Sequence, residues 1–304
     1  MKKTILADGS LLFVAFIWGA TFVIVQKAIN FLPPHLFNGT RFLIAALLLS
    51  LLLKKARRKF SLELLKSGIF LGFFLFLGYA FQTVGLLYTT SSKAGFITGL
   101  SVMIVPLLSI WILKDKPRSI VFLGSLLGTI GLYFLTLGDI SSLNIGDLFV
   151  FFCAIAFALH IIFTSKFANQ YHALPLTIVQ LLTVSISSLI CSALFERATI
   201  TIDSFFQKDV LIALAVTSIF ATAIAFLIQT KFQQFTTAAR VALIFAMEPV
   251  FAAATAFFMI HERLTGNGLI GCILIFIAMI ITEIQDIKQI KWLKSKYHLS
   301  KSSE

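Results

Sequence analysis

Charged residues are scarce in this chain. Only 12% of its 304 residues are Asp, Glu, Lys or Arg, whereas 59% are apolar and the mean hydropathy is +0.97. A soluble domain carries about a quarter charged residues and under half apolar ones. One core cannot hide 33 Phe side chains together with the other apolar residues. The composition therefore excludes a water-soluble globular fold and makes lipid the solvent for most of the surface.

Cysteine is rare, and motifs for binding nucleotides are absent from the sequence. Cys153, Cys191 and Cys272 lie inside apolar runs, and an odd count at such positions predicts neither a disulfide framework nor a metal site. The sequence has no Gly-x-x-x-x-Gly-Lys-Ser/Thr loop, no His/Glu zinc motif and no Gly-x-Ser-x-Gly elbow. We therefore expect no cofactor, no metal and no direct drive by ATP.

Acidic residues are few beside basic ones, and the net charge is +12. An excess of this size would indicate nucleic-acid binding if the basic residues shared one soluble face. Instead they cluster between apolar runs, as in 54–59 and 114–118, which is typical of the cytoplasmic loops of membrane proteins. We expect membrane lipids as partners and no nucleic acid.

Long apolar runs dominate what is present. A helix needs about 20 apolar residues to cross the hydrocarbon, and ten runs qualify. They cover roughly 8–28, 36–53, 67–87, 93–113, 119–137, 146–165, 174–194, 209–230, 238–260 and 266–284. The sequence therefore predicts an all-α integral membrane protein with ten transmembrane helices.

The distribution of Lys and Arg predicts the orientation. With the N-terminus in the cytoplasm, 19 of the 25 basic residues fall on the inner side. The six on the outer side are Lys27, Arg41, Lys93, Arg197, Lys208 and Arg263. This bias predicts a multi-pass protein of a cell membrane with both termini in the cytoplasm.

An internal repeat is visible in the polar residues. A shift of 147 places residues 79–124 on 226–271 without a gap, so that Gln82-Thr83 falls on Gln229-Thr230 and Lys93 on Arg240. Each half holds five crossings, and an odd number inverts the second half in the membrane. Inverted repeats are typical of secondary transporters, whose site lies near the midplane between the halves. We predict a first repeat at 1–138, a second at 139–287 and a basic cytoplasmic tail at 288–304.

Several short motifs follow one another in a fixed order along the two halves. They are Trp18–Phe22, Arg41–Ala46, Thr90–Leu100, Ala239–Ala242 with Glu248–Phe251, and His261–Thr265. Their order and spacing resemble the EamA family of the drug/metabolite transporter superfamily over nearly the whole chain. The resemblance implies a bacterial ten-helix protein that exports or exchanges small metabolites such as amino acids or drug-like solutes. Pro106 departs from the family pattern because it lies about one turn late, whereas Glu248-Pro249 keeps the usual place.

Glu248 is the clearest candidate for a functional residue. It lies near the middle of an apolar span, where an ionisable group normally faces a cavity or a partner. A carboxylate there could carry a proton, bind a substrate amine, or form a hydrogen bond that fixes helix packing. The residues leave these alternatives open.

Further polar and aromatic residues occur at membrane depth. The cavity candidates besides Glu248 are Trp18, Thr21, Tyr79, Gln82, His160 and Gln229. For His160 a structural bridge between helices is the preferred interpretation, and Gln180 is assigned to packing. The gate or mouth candidates are Arg41, Lys93 and Arg240, although snorkelling to the headgroups explains cations near helix ends equally simply.

The function predicted from these residues is secondary transport of a small-molecule solute by alternating access, driven by a proton or solute gradient. The rivals are an intramembrane enzyme acting on lipid-linked substrates and a non-transporting scaffold or sensor. No acid, base and nucleophile share one depth in the sequence, so we predict no enzyme activity. Gly131 and Gly138 would suit a dimer contact on the fifth span, which makes a homodimer an open alternative.

Overall fold

The computed structural model describes residues 2–56, 60–89, 91–114, 119–136, 144–196, 202–260 and 265–282. Within these ranges every regular element is a helix. Several features singled out in the sequence lie outside the described residues: the tail 288–304, most of the 139–145 junction, residues 261–264, Gly138 and the side chain of Lys93.

The helices follow one another with short connections. They are α1 (Lys2–Ala28), α2 (Pro34–Ala56), α3 (Leu62–Gly85), α4 (Ser91–Gly99), α5 (Ser101–Ile112), α6 (Ser119–Thr136), α7 (Ile145–Phe167), α8 (Ala173–Phe195), α9 (Ile202–Phe205), α10 (Lys208–Val216), α11 (Ala225–Phe232), α12 (Ala238–Phe245), α13 (Glu248–Ile260) and α14 (Gly266–Thr282). A π-helical segment, Thr217–Ile224, joins α10 to α11, and a 3₁₀ turn, Gln233–Phe235, follows α11.

These helices confirm the predicted fold class, an all-α membrane protein of ten crossings in two inverted repeats. Eight helical segments are long and apolar enough to span a membrane, and the shorter apolar helices Ser119–Leu135 and Gly266–Thr282 complete the ten. Three crossings combine two helices: α4 with α5, α10 with α11, and α12 with α13.

Side chains at the helix ends satisfy backbone groups that helices leave open. The Glu196 carboxylate, at the end of α8, accepts hydrogen bonds from the backbone N–H groups of His35 and Leu36 at 2.8 and 3.0 Å. This contact ties the start of α2 to the end of α8. Asn144 and Asp147 form a capping box at the start of α7. The polar residues between the apolar runs therefore fix where the crossings begin.

The interruptions in the fourth and ninth crossings occupy corresponding positions. α5 begins at Ser101 and α13 begins at Glu248, and the 147-residue offset carries the first onto the second. The prolines do not correspond, because Pro249 is the second residue of α13 whereas Pro106 lies inside α5. Position in the repeat therefore sets the interruption, and the displaced proline does not move it.

The helix packing follows the symmetry that relates the two halves. α2 packs on α8 and α6 on α14, and the fourth crossing packs on the ninth through α5 and α12, so each of these crossings meets its own repeat counterpart. The packing of α3 on α7 is matched by that of α10 and α11 on α1, and the packing of α4 and α5 on α7 by that of α13 on α1. A two-fold axis related to the repeat therefore passes through the centre of the bundle.

Gly131 and Gly271 are neighbours at the contact of α6 with α14. A side chain on Gly131 would begin 2.9 Å from the Gly271 carbonyl oxygen and 2.9 Å from the Ile275 nitrogen. Small residues at such contacts let helix backbones approach closely. Gly131 therefore serves packing within the chain, and its assignment to a dimer contact is corrected.

We expect Gly271→Leu to destabilise the bundle. The added side chain would begin 2.5 Å from the Gly131 carbonyl oxygen and 2.8 Å from the Leu135 Cα, so α6 and α14 must separate. Overpacking of this kind costs about 1–3 kcal/mol. Thermal unfolding of the purified protein in detergent measures the effect. Gly266→Leu is the matched control on the same helix because nothing lies within 4 Å of that site, and equal melting temperatures for the two variants would contradict the expectation.

Candidate functional site

Aromatic rings from both halves meet at the centre of the bundle. The centroids of Trp18 on α1 and Phe226 on α11 are 5.4 Å apart, and those of Phe42 on α2 and Tyr79 on α3 are 5.1 Å apart. Phe42 and Tyr79 lie 5.9 and 6.4 Å from Phe226. These four rings form one aromatic cluster between the halves.

The aromatic cluster follows the repeat symmetry. The 147-residue offset carries Tyr79 onto Phe226, and an offset of 139, which also superposes the ends of α1 and α7, carries Trp18 onto Phe157. The Trp18–Phe226 centroid distance of 5.4 Å is matched by 5.3 Å between Phe157 and Tyr79. The two-fold axis therefore passes between Tyr79 and Phe226, which is where a symmetric transporter would hold its solute.

Glu248 opens α13 beside this cluster. Its side chain is half-buried and, among the residues that the structure describes, makes no hydrogen bond or ion pair. A carboxylate at this depth without a protein partner needs water or a ligand to offset its desolvation. Among the described residues, the structure shows no hydrogen bond of the kind that a packing role for Glu248 would need.

Gly19 lets α1 lie directly against the start of α13. A side chain on Gly19 would begin 2.8 Å from the backbone nitrogen of Ala252 and would also meet the Glu248 carbonyl oxygen. Glycine, which has no Cβ, is the residue that permits this approach. The Trp18-Gly19 pair thus places an aromatic ring in the cluster and positions Glu248 beside it.

Arg41 lies in the site and not at a lipid-facing mouth, which corrects its placement at the outer interface. It is only 4% exposed, and its guanidinium carbon is 4.7 Å from the Tyr79 ring centroid and 4.9 Å from that of Phe42. Among the residues that the structure describes, its Nε has no hydrogen-bond partner. The cation therefore lies against aromatic faces.

Each of the remaining cavity candidates of the first half makes a hydrogen bond. The Trp18 indole N–H donates to the Ala221 carbonyl at 2.8 Å, within the π-helical segment. The Thr21 hydroxyl donates to the Ile17 carbonyl of its own helix at 2.8 Å. Gln82 is half-buried and donates to the Thr98 hydroxyl at 3.4 Å. Trp18 therefore borders the centre and Gln82 links α3 to α4, whereas Thr21 satisfies its own backbone.

His160 belongs to a buried network that joins three helices. Its Nε2 lies 2.9 Å from the Gln180 Oε1, and the Gln180 amide donates to the Thr230 hydroxyl at 3.0 Å. All three residues are buried. A network of this kind holds α7, α8 and α11 together, which favours the structural interpretation of His160. Gln229 is also buried, at 1% exposed, and donates to Gln233 at 3.3 Å, whereas its counterpart Gln82 is half-buried.

Asp8 and Arg240 form a buried ion pair that the sequence patterns did not indicate. The Arg240 Nη2 lies 2.7 Å from the Asp8 Oδ2, and the two residues are 7% and 8% exposed. The pair links the start of α1 to the first turn of α12. Arg240 therefore does not snorkel to the headgroups, because its charge is directed inward to a carboxylate.

The other half carries a related arrangement at the start of α7. The offset of 139 places Asp8 on Asp147, and Lys93, the counterpart of Arg240, lies in the first turn of α4. Asp147 is buried and accepts a hydrogen bond from the Thr89 hydroxyl at 2.5 Å. The carboxylate thus faces the segment that leads into α4, as Asp8 faces α12.

Comparison with known proteins finds similarity to a transporter family over nearly the whole chain. Residues 5–137 and 144–284 each match the model of the EamA-like transporter family. An uncharacterized transporter of Archaeoglobus fulgidus is 36% identical over 283 residues, 93% of this chain and 87% of the relative. The uncharacterized transporter YoaV of Bacillus subtilis is 25% identical over 269 residues, 86% of this chain and 91% of the relative. A protein of solved crystal structure superposes with a TM-score of 0.76 at 18% identity, covering 95% of this chain and 98% of that one, a likeness of fold.

Proposed function

Because the chain belongs to the EamA-like transporter family, we propose that it is a secondary transporter that moves one small solute at a time by alternating access. The solute binds at the aromatic cluster between the two halves. The observation that carries this proposal is Glu248, a carboxylate at mid-crossing that has no hydrogen bond or ion pair among the described residues. A carboxylate at this depth is costly, and binding of a proton or of a charged group of the solute would offset that cost.

Repeat symmetry supplies the mechanism of exchange. Several helix contacts in one half have a counterpart in the other, so closing one end can use the same kind of contact that opens at the opposite end. The Asp8–Arg240 pair closes the end that the charge bias places in the cytoplasm. Asp147 and Lys93 stand at the corresponding outer end. A solute at the centre would then face one side of the membrane at a time.

Uptake into liposomes tests the proposal directly. Purified protein in proteoliposomes, given an imposed pH gradient, is screened with radiolabelled amino acids, sugars and organic cations. We expect accumulation of at least one solute that collapses when the gradient is dissipated by a protonophore. Empty liposomes are the control. Gradient-independent entry of every solute at the rate of empty liposomes would contradict the transporter function.

The proposed topology places both termini in the cytoplasm. Reporter fusions after Lys59, Arg118 and Lys301 should give cytoplasmic signals, and fusions within 139–145 and 198–207 should give signals from the outside. The physical reason is the concentration of basic residues in the first set of segments. A cytoplasmic signal from 139–145 would be decisive against the inversion of the halves, because that segment joins them.

A further inference from the structure

The helices around the centre pack as two groups. α7 packs on α3, α4 and α5, and we call these four helices the α7 group. α1 packs on α10, α11, α12 and α13, which we call the α1 group. The repeat offsets of 147 and 139 exchange the two groups. Trp18 and Phe226 belong to the α1 group and Tyr79 to the α7 group, so the aromatic cluster lies between them and an end opens when the groups separate there.

Gln233 joins the two groups through its side-chain amide. It is fully buried in the 3₁₀ turn that follows α11. Its Nε2 donates to the Ile161 carbonyl oxygen of α7 at 2.5 Å and to the Ser165 hydroxyl of α7 at 2.8 Å. Its Oε1 accepts from the Gln229 amide at 3.3 Å. The amide is therefore fully satisfied, and both of its donor contacts cross from the α1 group to the α7 group.

This contact lies between the aromatic cluster and the end that the charge bias places in the cytoplasm. Ile161 is less than two turns from the end of α7 at Phe167, about 9 Å along the helix axis. One turn closer to the centre, Gln180 connects His160 of α7 with Thr230 of α11. α12 also packs on α5 and α7. The polar bridge of Gln233 thus belongs to a layer that closes this end.

The first half offers no such donor for the opposite end. The offset of 147 carries Leu86 onto Gln233, and the offset of 139 carries Phe22 onto Ile161. A leucine side chain cannot donate a hydrogen bond to the Phe22 carbonyl. Closure of the cytoplasmic end therefore gains two hydrogen bonds that closure of the outer end lacks. An equilibrium between two states shifts toward the one with the additional contacts.

We propose that Gln233 is the gate residue of the cytoplasmic end, and that its amide makes the transporter face the outside when no solute is bound. This inference rests on the proposed transport function and adds which end is closed at rest. Opening the cytoplasmic end breaks both bonds to α7. A chain with leucine at this position loses the bias, and a chain with the amide moved to position 86 reverses it.

Two repeat-related cysteines report the two ends without any solute. Ala242 is 1% exposed in the apolar cluster that α12 forms with Ile161 and Ile162 of α7. The offset of 147 carries Gly95 onto Ala242. Each cysteine is placed in the full chain without the three native cysteines and is labelled with a membrane-impermeant thiol reagent. Ala242→Cys is labelled in inverted vesicles, and Gly95→Cys is labelled from the outside of intact cells.

Gln233→Leu should raise the labelling rate of Ala242→Cys by about tenfold or more and should not raise that of Gly95→Cys. Gln234→Leu is the matched control, since the Gln234 amide lies in the same turn but donates to the Lys231 carbonyl of the preceding helix at 2.6 Å. The proposal is overturned by an unchanged rate at position 242, by an equal rise in the control, or by a rise at both ends.

Two further variants separate gating from loss of stability. Gln233→Asn keeps the amide but is one methylene too short to reach both acceptors, so it should raise labelling at position 242 as the leucine variant does, and it replaces that variant if the latter does not fold. Leu86→Gln, added to Gln233→Leu, should lower the labelling rate of Gly95→Cys by about tenfold. An unchanged rate there would contradict the assignment of the bias to this amide.

The outcomes for gating and for transport are independent. Labelling that does not respond to Gln233→Leu, in a protein that takes up a solute, would overturn the gate and leave the transport function standing. Absence of uptake for every solute would refute transport whatever the labelling shows.

Discussion

Glu248→Gln should abolish uphill accumulation of a transported solute and leave exchange of that solute across the membrane measurable. Glutamine keeps the size of the side chain but cannot gain or lose a proton. A carboxylate that binds either a proton or an ammonium couples the two flows by competition, so one solute leaves as one proton enters. Each pH unit then drives at most about tenfold accumulation, and the variant should show none.

The measurement compares two assays on the same proteoliposomes. Accumulation is followed under an imposed pH gradient, and exchange is followed with equal solute on both sides, at concentrations raised about a hundredfold to offset the weaker binding expected for the variant. Glu63→Gln is the matched control, since Glu63 is an exposed acid in the first turn of α3. Equal loss of accumulation and exchange, together with poor expression, would favour a packing role for Glu248.

In the proposed mechanism, Arg240→Gln should hold open the end of the bundle that the Asp8–Arg240 pair closes. The substitution leaves Asp8 without its 2.7 Å ion pair in a site where both residues are less than a tenth exposed. Removing one partner of a buried ion pair costs about 3–5 kcal/mol. This cost falls on the closed state, because opening hydrates the carboxylate. The population should therefore shift toward the open state by about a hundredfold or more.

Labelling of a single cysteine reports the shift. Ala239 is 4% exposed and packs with Leu11 in the closed interface of α1 with α12. With Ala239→Cys in a chain that lacks the three native cysteines, a membrane-impermeant thiol reagent is applied to the cytoplasmic face of inverted vesicles. The rate should rise by about a hundredfold in Arg240→Gln and fall again in the charge-swapped double variant Asp8→Arg/Arg240→Asp. Lys231→Gln, an exposed cation near the same end, is the control, and unchanged labelling in Arg240→Gln would exclude the closing role.

The crossings and the repeat could be predicted from the sequence because both leave local patterns in it, namely apolar runs and repeated polar pairs. Ten apolar runs of sufficient length allow few alternatives, since only helices satisfy their backbone groups within one segment in lipid. The repeat was visible in pairs such as Gln82-Thr83 and Gln229-Thr230, because identical polar pairs rarely coincide by chance. Glu248 was identified for a related reason, as an acid in the middle of an apolar run.

The contacts across the bundle could not be predicted in the same way. Asp8 stands near the start of the first crossing, where an acid resembles a loop residue, and its partner Arg240 is 232 residues away. Arg41 was assigned to the interface from its distance to the helix end, whereas tertiary packing directs its side chain inward to Tyr79. The π-helical segment at Thr217–Ile224 left no signal, because its apolar sequence suits an α-helix equally well.

The contacts on the two-fold axis have a consequence for how such a chain could arise. Tyr79 meets Phe226, so each of these two residues touches the residue that replaces it in the other half. In a protein made of two identical five-helix chains, the same contacts would join each residue to its own copy, which is the self-complementary surface of a symmetric dimer. The fused chain retains this geometry but frees each position to change separately. Gene duplication therefore allowed Arg41 to appear in the first half alone and Glu248 in the second half alone. Two identical subunits could not differ in this way.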